Sequence, residues 1–197
     1  MLSPDVQQLL NMISRVNYNG SQHTNIIIEE KDSSALLKKI KLNAPNGNWF
    51  VFDPDEGRKC NYLKPKSNLV IMSPLLKIGD FDHHKACDAV IVLKKNEELT
   101  ILYIDLKSGN PNGYSGQFKS TRQFVRYALG LLEEFYNEKL TINNERYFIF
   151  YGGKPKVSMQ KKTLTPKFRN LKNSKPDEAC KLEVTNNEIL YLKSLLA

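Results

Sequence analysis

Residues 88–107 read DAVIVLKKNEELTILYIDLK, and the fold turns on this stretch. Two apolar, β-branched runs, Asp88 to Leu93 and Leu99 to Leu106, flank the polar segment Lys94-Lys95-Asn96-Glu97-Glu98. This pattern predicts two buried strands joined by a turn and paired as an antiparallel hairpin. In such a hairpin the start of one strand lies beside the end of the next. Asp88 should therefore meet the Asp105-Leu106-Lys107 segment at one end of the sheet. Side chains alternate along a strand, which puts Asp105 and Lys107 on one face and Leu106 on the other. Two acids and a lysine are expected to share one pocket.

Downstream of the hairpin, Ser108-Gly109-Asn110-Pro111-Asn112-Gly113 is a loop that no helix tolerates. A helix from about Gly116 to Asn137 follows, with Phe118, Thr121, Phe124, Val125, Ala128, Leu131, Leu132 and Phe135 in one stripe of helical period. Arg146 to Tyr151 is a final apolar strand. Upstream, Leu69 to Ser73 reads as another buried strand. Ser3 then Pro4 opens a helix to about Arg15. Asn25 to Glu29 is a short strand, Ser33 or Ser34 caps a short helix through Leu36, Leu37 and Ile40, and Trp49 to Phe52 is a strand before the turn-rich Asp53–Gly57. A closing helix is expected over Asn186–Leu196. The order implies one α/β domain over residues 1–197, a mixed sheet packed on helices. Its core is placed at about 69–151, with an N-terminal extension 1–68 and a basic segment 152–197.

Composition fits a folded chain: 41% of the 197 residues are hydrophobic and 25% charged, which excludes a disordered or fibrous protein. No apolar run approaches the roughly 20 residues of a membrane span. The first residues lack the pattern of a secretory signal, so no membrane partner and a cytoplasmic location are expected. Cys60, Cys87 and Cys180 form an odd, widely spaced set without a CxxC pair, as reduced structural cysteines would. The 29 basic and 21 acidic residues leave a net charge of +8. Lys154, Lys156, Lys161, Lys162, Lys167, Arg169, Lys172 and Lys175 fall in a window with no acid, and alone equal that charge. Such a block is either a solvated surface or a track for a phosphate backbone, with Phe168 available for base stacking. Arg122 and Arg126 are expected on the outward side of the long helix, also facing phosphates.

Two carboxylates a few ångströms apart repel and partly protonate unless a cation lies between them. A hard divalent ion such as Mg²⁺ (or Mn²⁺) takes one or two carboxylates with waters and a substrate phosphate. A neighbouring ammonium group can orient the attacking water or stabilise charge on phosphorus. Metal-assisted phosphodiester hydrolysis follows from Asp88, Asp105 and Lys107. The bland alternative is a salt-bridged rim in which the two acids merely neutralise lysines.

Asp88, then Asp105-Leu106-Lys107 at the end of a following strand, then a helix, resembles the PD-(D/E)XK nuclease superfamily. Gln123-Phe124-Val125-Arg126-Tyr127 is similar to the QxxxY motif of its RecB-like and lambda-exonuclease-like branch. The resemblance covers about Leu69 to Tyr151 and implies a restriction-endonuclease-like αβββαβ core. It further implies that Asp88 and Asp105 bind the metal, that Lys107 serves the attacking water, and that Gln123 and Tyr127 reach the active site or a DNA phosphate. The sequence departs from the motif at Cys87, where proline is usual, and has Asp105 where Glu is frequent. Many members carry a further acid in the first core helix, for which Glu29, Glu30 and Glu56 are candidates. His83 and His84 are candidates to supplement the metal site. Ser108, a small residue after the lysine, would let a bound strand approach. The implied activity is a Mg²⁺- or Mn²⁺-dependent deoxyribonuclease of restriction, phage defence or repair, acting as a homodimer or with a partner subunit. The alternatives are a catalytically silent nuclease-fold protein that binds nucleic acid or a protein, and an RNA-directed nuclease.

Overall fold

The computed structural model describes residues 1–58, 75–76, 82–152 and 175–196. The expected strand Leu69–Ser73, Cys60, Phe168 and the basic residues Lys154, Lys156, Lys161, Lys162, Lys167, Arg169 and Lys172 lie outside the described residues.

The hairpin forms between β5 (Ala89–Lys95) and β6 (Glu98–Lys107), in register from Ala89 opposite Ile104 to Lys95 opposite Glu98. The turn is tighter than the polar segment suggested, because only Asn96 and Glu97 lie outside the strands. Both take positive φ, 49° and 63°, the backbone of a two-residue turn whose twist matches the strands it joins. The long helix α3 (Ser115–Tyr136) ends on Asn137 in the left-handed conformation (φ 56°), a common helix stop. It carries the chain across to β7 (Ile142–Gly152), which pairs parallel to β6.

Two strands from the N-terminal part extend this sheet. β4 (Trp49–Phe52) pairs antiparallel with β5, and β1 (Val16–Asn19) pairs antiparallel with β4. On the other side β8 (Cys180–Val184) adds parallel to β7. The result is a mixed six-stranded sheet in the order β1-β4-β5-β6-β7-β8, so the first 68 residues contribute to the central sheet itself. Alternation then sorts the strands' side chains into two cores. Phe50, Phe52, Val90, Val92, Ile101, Tyr103, Tyr147 and Ile149 pack beneath α3 and α1 (Pro4–Met12), which buries Val6 and Leu9. Val51, Ile91, Leu102, Ile104, Leu106, Phe148 and Phe150 face the opposite layer.

That opposite layer is a second sheet, β2 (Asn25–Glu29), β3 (Lys39–Asn43) and β9 (Glu188–Tyr191), with one helical turn α4 (Leu192–Leu195). It corrects two expectations. The helix expected over Ser33–Ile40 does not form: Ser34 is held in a local turn by two hydrogen bonds to Asp32 Oδ1 at 2.8 Å, and a strand follows. Lys39-Ile40-Lys41-Leu42 alternates with period two, burying Ile40 and Leu42, and that pattern outweighs the cap. The expected helix over Asn186–Leu196 likewise gives way to β9, which pairs parallel with β3 and buries Leu190. Only Leu192–Leu195 remains helical. The described chain contains no helix long and apolar enough to cross a membrane.

Gly20 follows β1 where the chain comes against the β4 entry. A Cβ there would overlap the Gly47 carbonyl oxygen and come within 2.6 Å of Trp49 Nε1, the atom that donates to Pro45 O at 2.8 Å. Because backbone cannot yield as a flexible side chain would, Gly20→Ala should destabilise the fold by about 2 kcal/mol. Urea unfolding read by Trp49 fluorescence checks this; an unchanged midpoint would contradict it.

Candidate active site

The site is built where β5 begins and β6 ends. The Asp88 amide donates to Ile104 O at 3.1 Å. Its carboxylate Oδ2 accepts from the Leu106 amide at 2.6 Å. That bond reaches over the strand end and fixes the carboxylate beside Asp105. Asp105 is fully buried and points to the α3 face with Tyr103, whereas Leu106 points into the opposite core. Lys107 shares the Asp105 face, and its Nζ lies 2.8 Å from Asp105 Oδ2.

α3 supplies the fourth wall. Lys107 Nζ donates to Gln117 Oε1 at 2.7 Å, and Gln117 Nε2 donates to Ala86 O at 3.1 Å. One turn further, Thr121 Oγ1 accepts the Cys87 amide at 3.1 Å. Gln117 and Thr121 thus clamp the segment leading into Asp88 while Gln117 fixes the lysine. Cys87 is buried, and that burial pushes its thiol well above the usual range, so it stays protonated.

Among the described residues the cluster is short of positive charge. Burial, followed by the neighbouring Asp105 carboxylate, pushes Asp88 well above the ordinary range. Burial pushes Asp105 up to about 6, against the pull of the Lys107 ammonium. Glu30, on the connection leaving β2, adds negative potential to both acids. Asp105 Oδ1 is buried with no hydrogen-bond donor among the described residues. A cleft of about 170 Å³ opens onto Asp88, lined also by Asn17, Tyr18, Glu29, Lys31 and Asp53. Burial raises Asp53 as well. An acceptor without a donor beside two carboxylates held towards neutrality is the donor set that a hard divalent cation fits. No group of three acidic, histidine or cysteine side chains poised for a metal occurs among the described residues, so protein ligation would come from Asp88 and Asp105, with water completing the shell.

Gln123 and Tyr127 do not join the cluster. Gln123 is exposed and Tyr127 is 64% exposed on α3; the helix edge that touches the site carries Gln117 and Thr121 instead. The physical reason is helix phase. The buried positions Phe118, Thr121, Val125, Ala128 and Leu132 set the sheet-facing side, and positions 123 and 127 fall away from it. That same stripe, read from sequence, could have pointed to Gln117; the QxxxY spacing drew attention six residues too far along. For Glu30 the sequence held no signal that separated it from Glu29 and Glu56. Glu56 pairs with Lys31 at 2.7 Å.

The expected phosphate contacts are distributed differently. Ser108 Oγ accepts from the Leu36 and Leu37 amides at 2.6 and 3.2 Å, tying the β2–β3 connection to the end of β6. Arg126 pairs with Glu145 on β7 at 3.2 Å, and Glu145 also accepts from the Tyr103 hydroxyl at 3.0 Å. The Arg122 charge lies close enough to the Tyr147 hydroxyl to pull its pKa down against the rise from burial. The two arginines therefore brace α3 on the sheet. His83 and His84 stack on each other with ring centroids 4.2 Å apart, and His83 O accepts from Ser120 Oγ at 2.6 Å. The chain passes out of the described part after Gly152, whose β7 neighbour Tyr151 is opposite Lys107. It returns at Lys175, next to Asp177, which is bonded to Ser115 and Lys119 at the start of α3. Both ends of the basic window are thereby attached at the site's end of the sheet. No family model, no curated protein and no solved structure matches this chain.

Proposed function

We propose that the protein is a metal-dependent nuclease that hydrolyses DNA phosphodiester bonds, with Asp88 and Asp105 holding Mg²⁺ or Mn²⁺ and Lys107 serving the attacking water. The observation that carries this reading is the convergence of Asp88, a fully buried and under-satisfied Asp105, and a lysine anchored by Gln117. The element order α1, β4-β5-β6, α3, β7, with three antiparallel strands and a parallel fourth, supports a restriction-endonuclease-like αβββαβ core.

When bound, the divalent cation supplies Lewis-acid charge that favours ionised water and screens the phosphate. The chain's own groups do the rest. The Leu106 amide fixes the position of the Asp88 carboxylate and favours its ionised form, against the rise that burial and Asp105 impose. Gln117 and Asp105 fix the Lys107 ammonium so that it can orient the attacking water and face the charge that grows on the phosphoryl oxygens. The net charge of +8 favours encounter with a polyanion.

A second reading is a non-cleaving nucleic-acid-binding protein. It is favoured by Lys107 already being paired with Asp105, an arrangement in which the cluster neutralises itself. Incubation with linear, circular and single-stranded DNA and with RNA, in Mg²⁺, Mn²⁺ or EDTA, separates the two. Metal-dependent cutting supports the nuclease, its preferred substrate decides between DNA and RNA, and salt-sensitive binding without cutting supports the second reading. Within the nuclease reading, Gln117→Ala should lower kcat about tenfold while the KM for DNA changes less than about twofold, because Gln117 acts through Lys107. A KM effect with unchanged kcat would place Gln117 in substrate binding instead.

A further inference from the structure

The cleft beside the acid cluster has chemistry that the metal reading leaves unused. It opens where the two sheets part, at the start of β5 and the end of β2. Its apolar walls are Tyr18 and Val51 of the large sheet, Ile28 of the second sheet, and Ala89 directly after Asp88. The volume is about 170 Å³. A cavity of roughly 150 Å³ takes one benzene ring, so this cleft has room for a single flat ring. Asn17 and Lys31 in its lining are exposed, which leaves it reachable from solvent.

The polar part of the lining is mostly acidic. Glu29, Asp53 and Asp88 stand against Lys31, whose ammonium is already paired with Glu56 at 2.7 Å. Such a lining repels phosphates and accepts N–H donors. Asp53 has an acceptor to spare. Its Oδ1 takes the Glu56 amide at 2.9 Å, capping the short helix α2 (Pro54–Arg58). Its Oδ2 carries no hydrogen bond among the described residues.

We propose that the cleft receives one unpaired cytosine of a single-stranded nucleic acid, with the exocyclic amine donating to Asp53 and the ring lying against Tyr18. Cytosine is the single-ring base that carries this amine. Thymine and uracil present a carbonyl oxygen at the same position, which a carboxylate repels. Purines are fused double rings. Lys31 and the Asn17 amide supply donors for the remaining acceptors of the ring. A base paired within a duplex enters such a cleft only by leaving its stack, so the cleft selects unpaired strands. Asp88 lines the cleft and also belongs to the acid cluster, so the backbone attached to a base held there passes the metal-binding acids. That last placement rests on the nuclease reading; the base preference does not, and is measured without cutting.

Fluorescence anisotropy in EDTA tests it, with labelled single strands of about 12 nucleotides. All-cytosine is set against all-thymine in DNA, and all-cytosine against all-uracil in RNA. The full chain should bind the cytosine strand about tenfold more tightly in at least one series. Asp53→Asn keeps a capping oxygen for α2 but offers thymine or uracil a donor as readily as it offers cytosine an acceptor, and should bring the ratio within about twofold. Asn17→Phe, at an exposed position of β1, fills the mouth of the cleft and should remove the preference as well. Equal affinity of the wild type for both strands of each series, no binding to any strand, or a ratio unchanged in a folded variant overturns the inference. Thermal melting establishes folding, and if one variant is unfolded the other decides. The same strands in Mg²⁺ separate the two readings: cutting without a cytosine preference in EDTA removes the cleft's role alone, and a cytosine preference without cutting upholds that role while removing the nuclease.

Discussion

Lys107→Ala should reduce Mg²⁺-dependent DNA cleavage by about three orders of magnitude while leaving DNA binding within a few-fold of wild type. Among the described residues, the ammonium is the positive charge in direct contact with the acids, 2.8 Å from Asp105 Oδ2 and 2.7 Å from Gln117 Oε1. It is only 23% exposed, so its contribution is made inside the site and not by general attraction to the polyanion. Asp105→Ala should abolish the same activity. The measurement is single-turnover cleavage of labelled linear DNA in Mg²⁺, beside a filter-binding titration in EDTA. Equal residual cutting by wild type and both variants would trace the activity to a contaminant. A proportional loss of binding would move Lys107 from chemistry to substrate attachment.

Asp105→Asn should stabilise the folded protein at pH 8 and change it little at pH 4. The folded-state value of about 6 stands above the ordinary aspartate value of 3.8, so the native state holds the Asp105 proton more tightly than the unfolded chain does. The stability this confers is fully present below the ordinary value and is lost as pH rises through about 6. Above that, ionised Asp105 costs about 3 kcal/mol. Asp88 and Asp53 are raised as well and act in the same direction; because part of the rise at Asp88 comes from the Asp105 carboxylate, the difference between variant and wild type reports the Asp88–Asp105 pair with Asp53 cancelled. Millimolar Mg²⁺ or Mn²⁺ should raise the wild-type melting temperature at pH 8, with the gain largely absent in Asp105→Asn. Denaturant titrations at several pH values provide the check. A wild-type–variant difference that stays flat from pH 4 to 8, or equal stabilisation of both by the metal, would count against a buried, cation-seeking carboxylate.

The expected gain in stability from removing Asp105 accords with a functional role. A fully buried acid with an acceptor atom lacking a donor weakens the fold, and sites of that kind persist where chemistry needs them. The cluster is confined to the strand ends, where β5 and β6 leave the sheet and α3 begins, so its burden is local. The two cores on either side are formed by aliphatic and aromatic side chains without such conflict.

How much of this was legible from the chain depends on the range of the forces involved. The hairpin was readable because periodicity is local: a run of β-branched residues, a polar turn and a second run specify pairing without reference to anything else. From that pairing alone came the meeting of Asp88 with Asp105 and the common face of Asp105 and Lys107. The α3 helix was readable for the same reason. The cover sheet was not, because β3 and β9 are joined by parallel pairing across about 150 residues of sequence, and short segments of mixed propensity wait for such a partner before they choose strand over helix. The capping signal at Ser33 and Ser34 and the leucines after Asn186 pointed to helices that long-range pairing overruled.

The amino-acid order by itself thus determined the hairpin, the long helix and the positions of two acids and a lysine at one sheet end, because these follow from side-chain alternation over a few residues. Only the tertiary structure decided that Gln117 instead of Gln123 holds the lysine, that Glu30 presses on the acids, and that Arg122 and Arg126 brace the helix. Those outcomes depend on the rotation of α3 against the sheet and on a second sheet brought in from both ends of the chain. The packing of whole layers fixes that rotation and that approach, and no window of local sequence contains them.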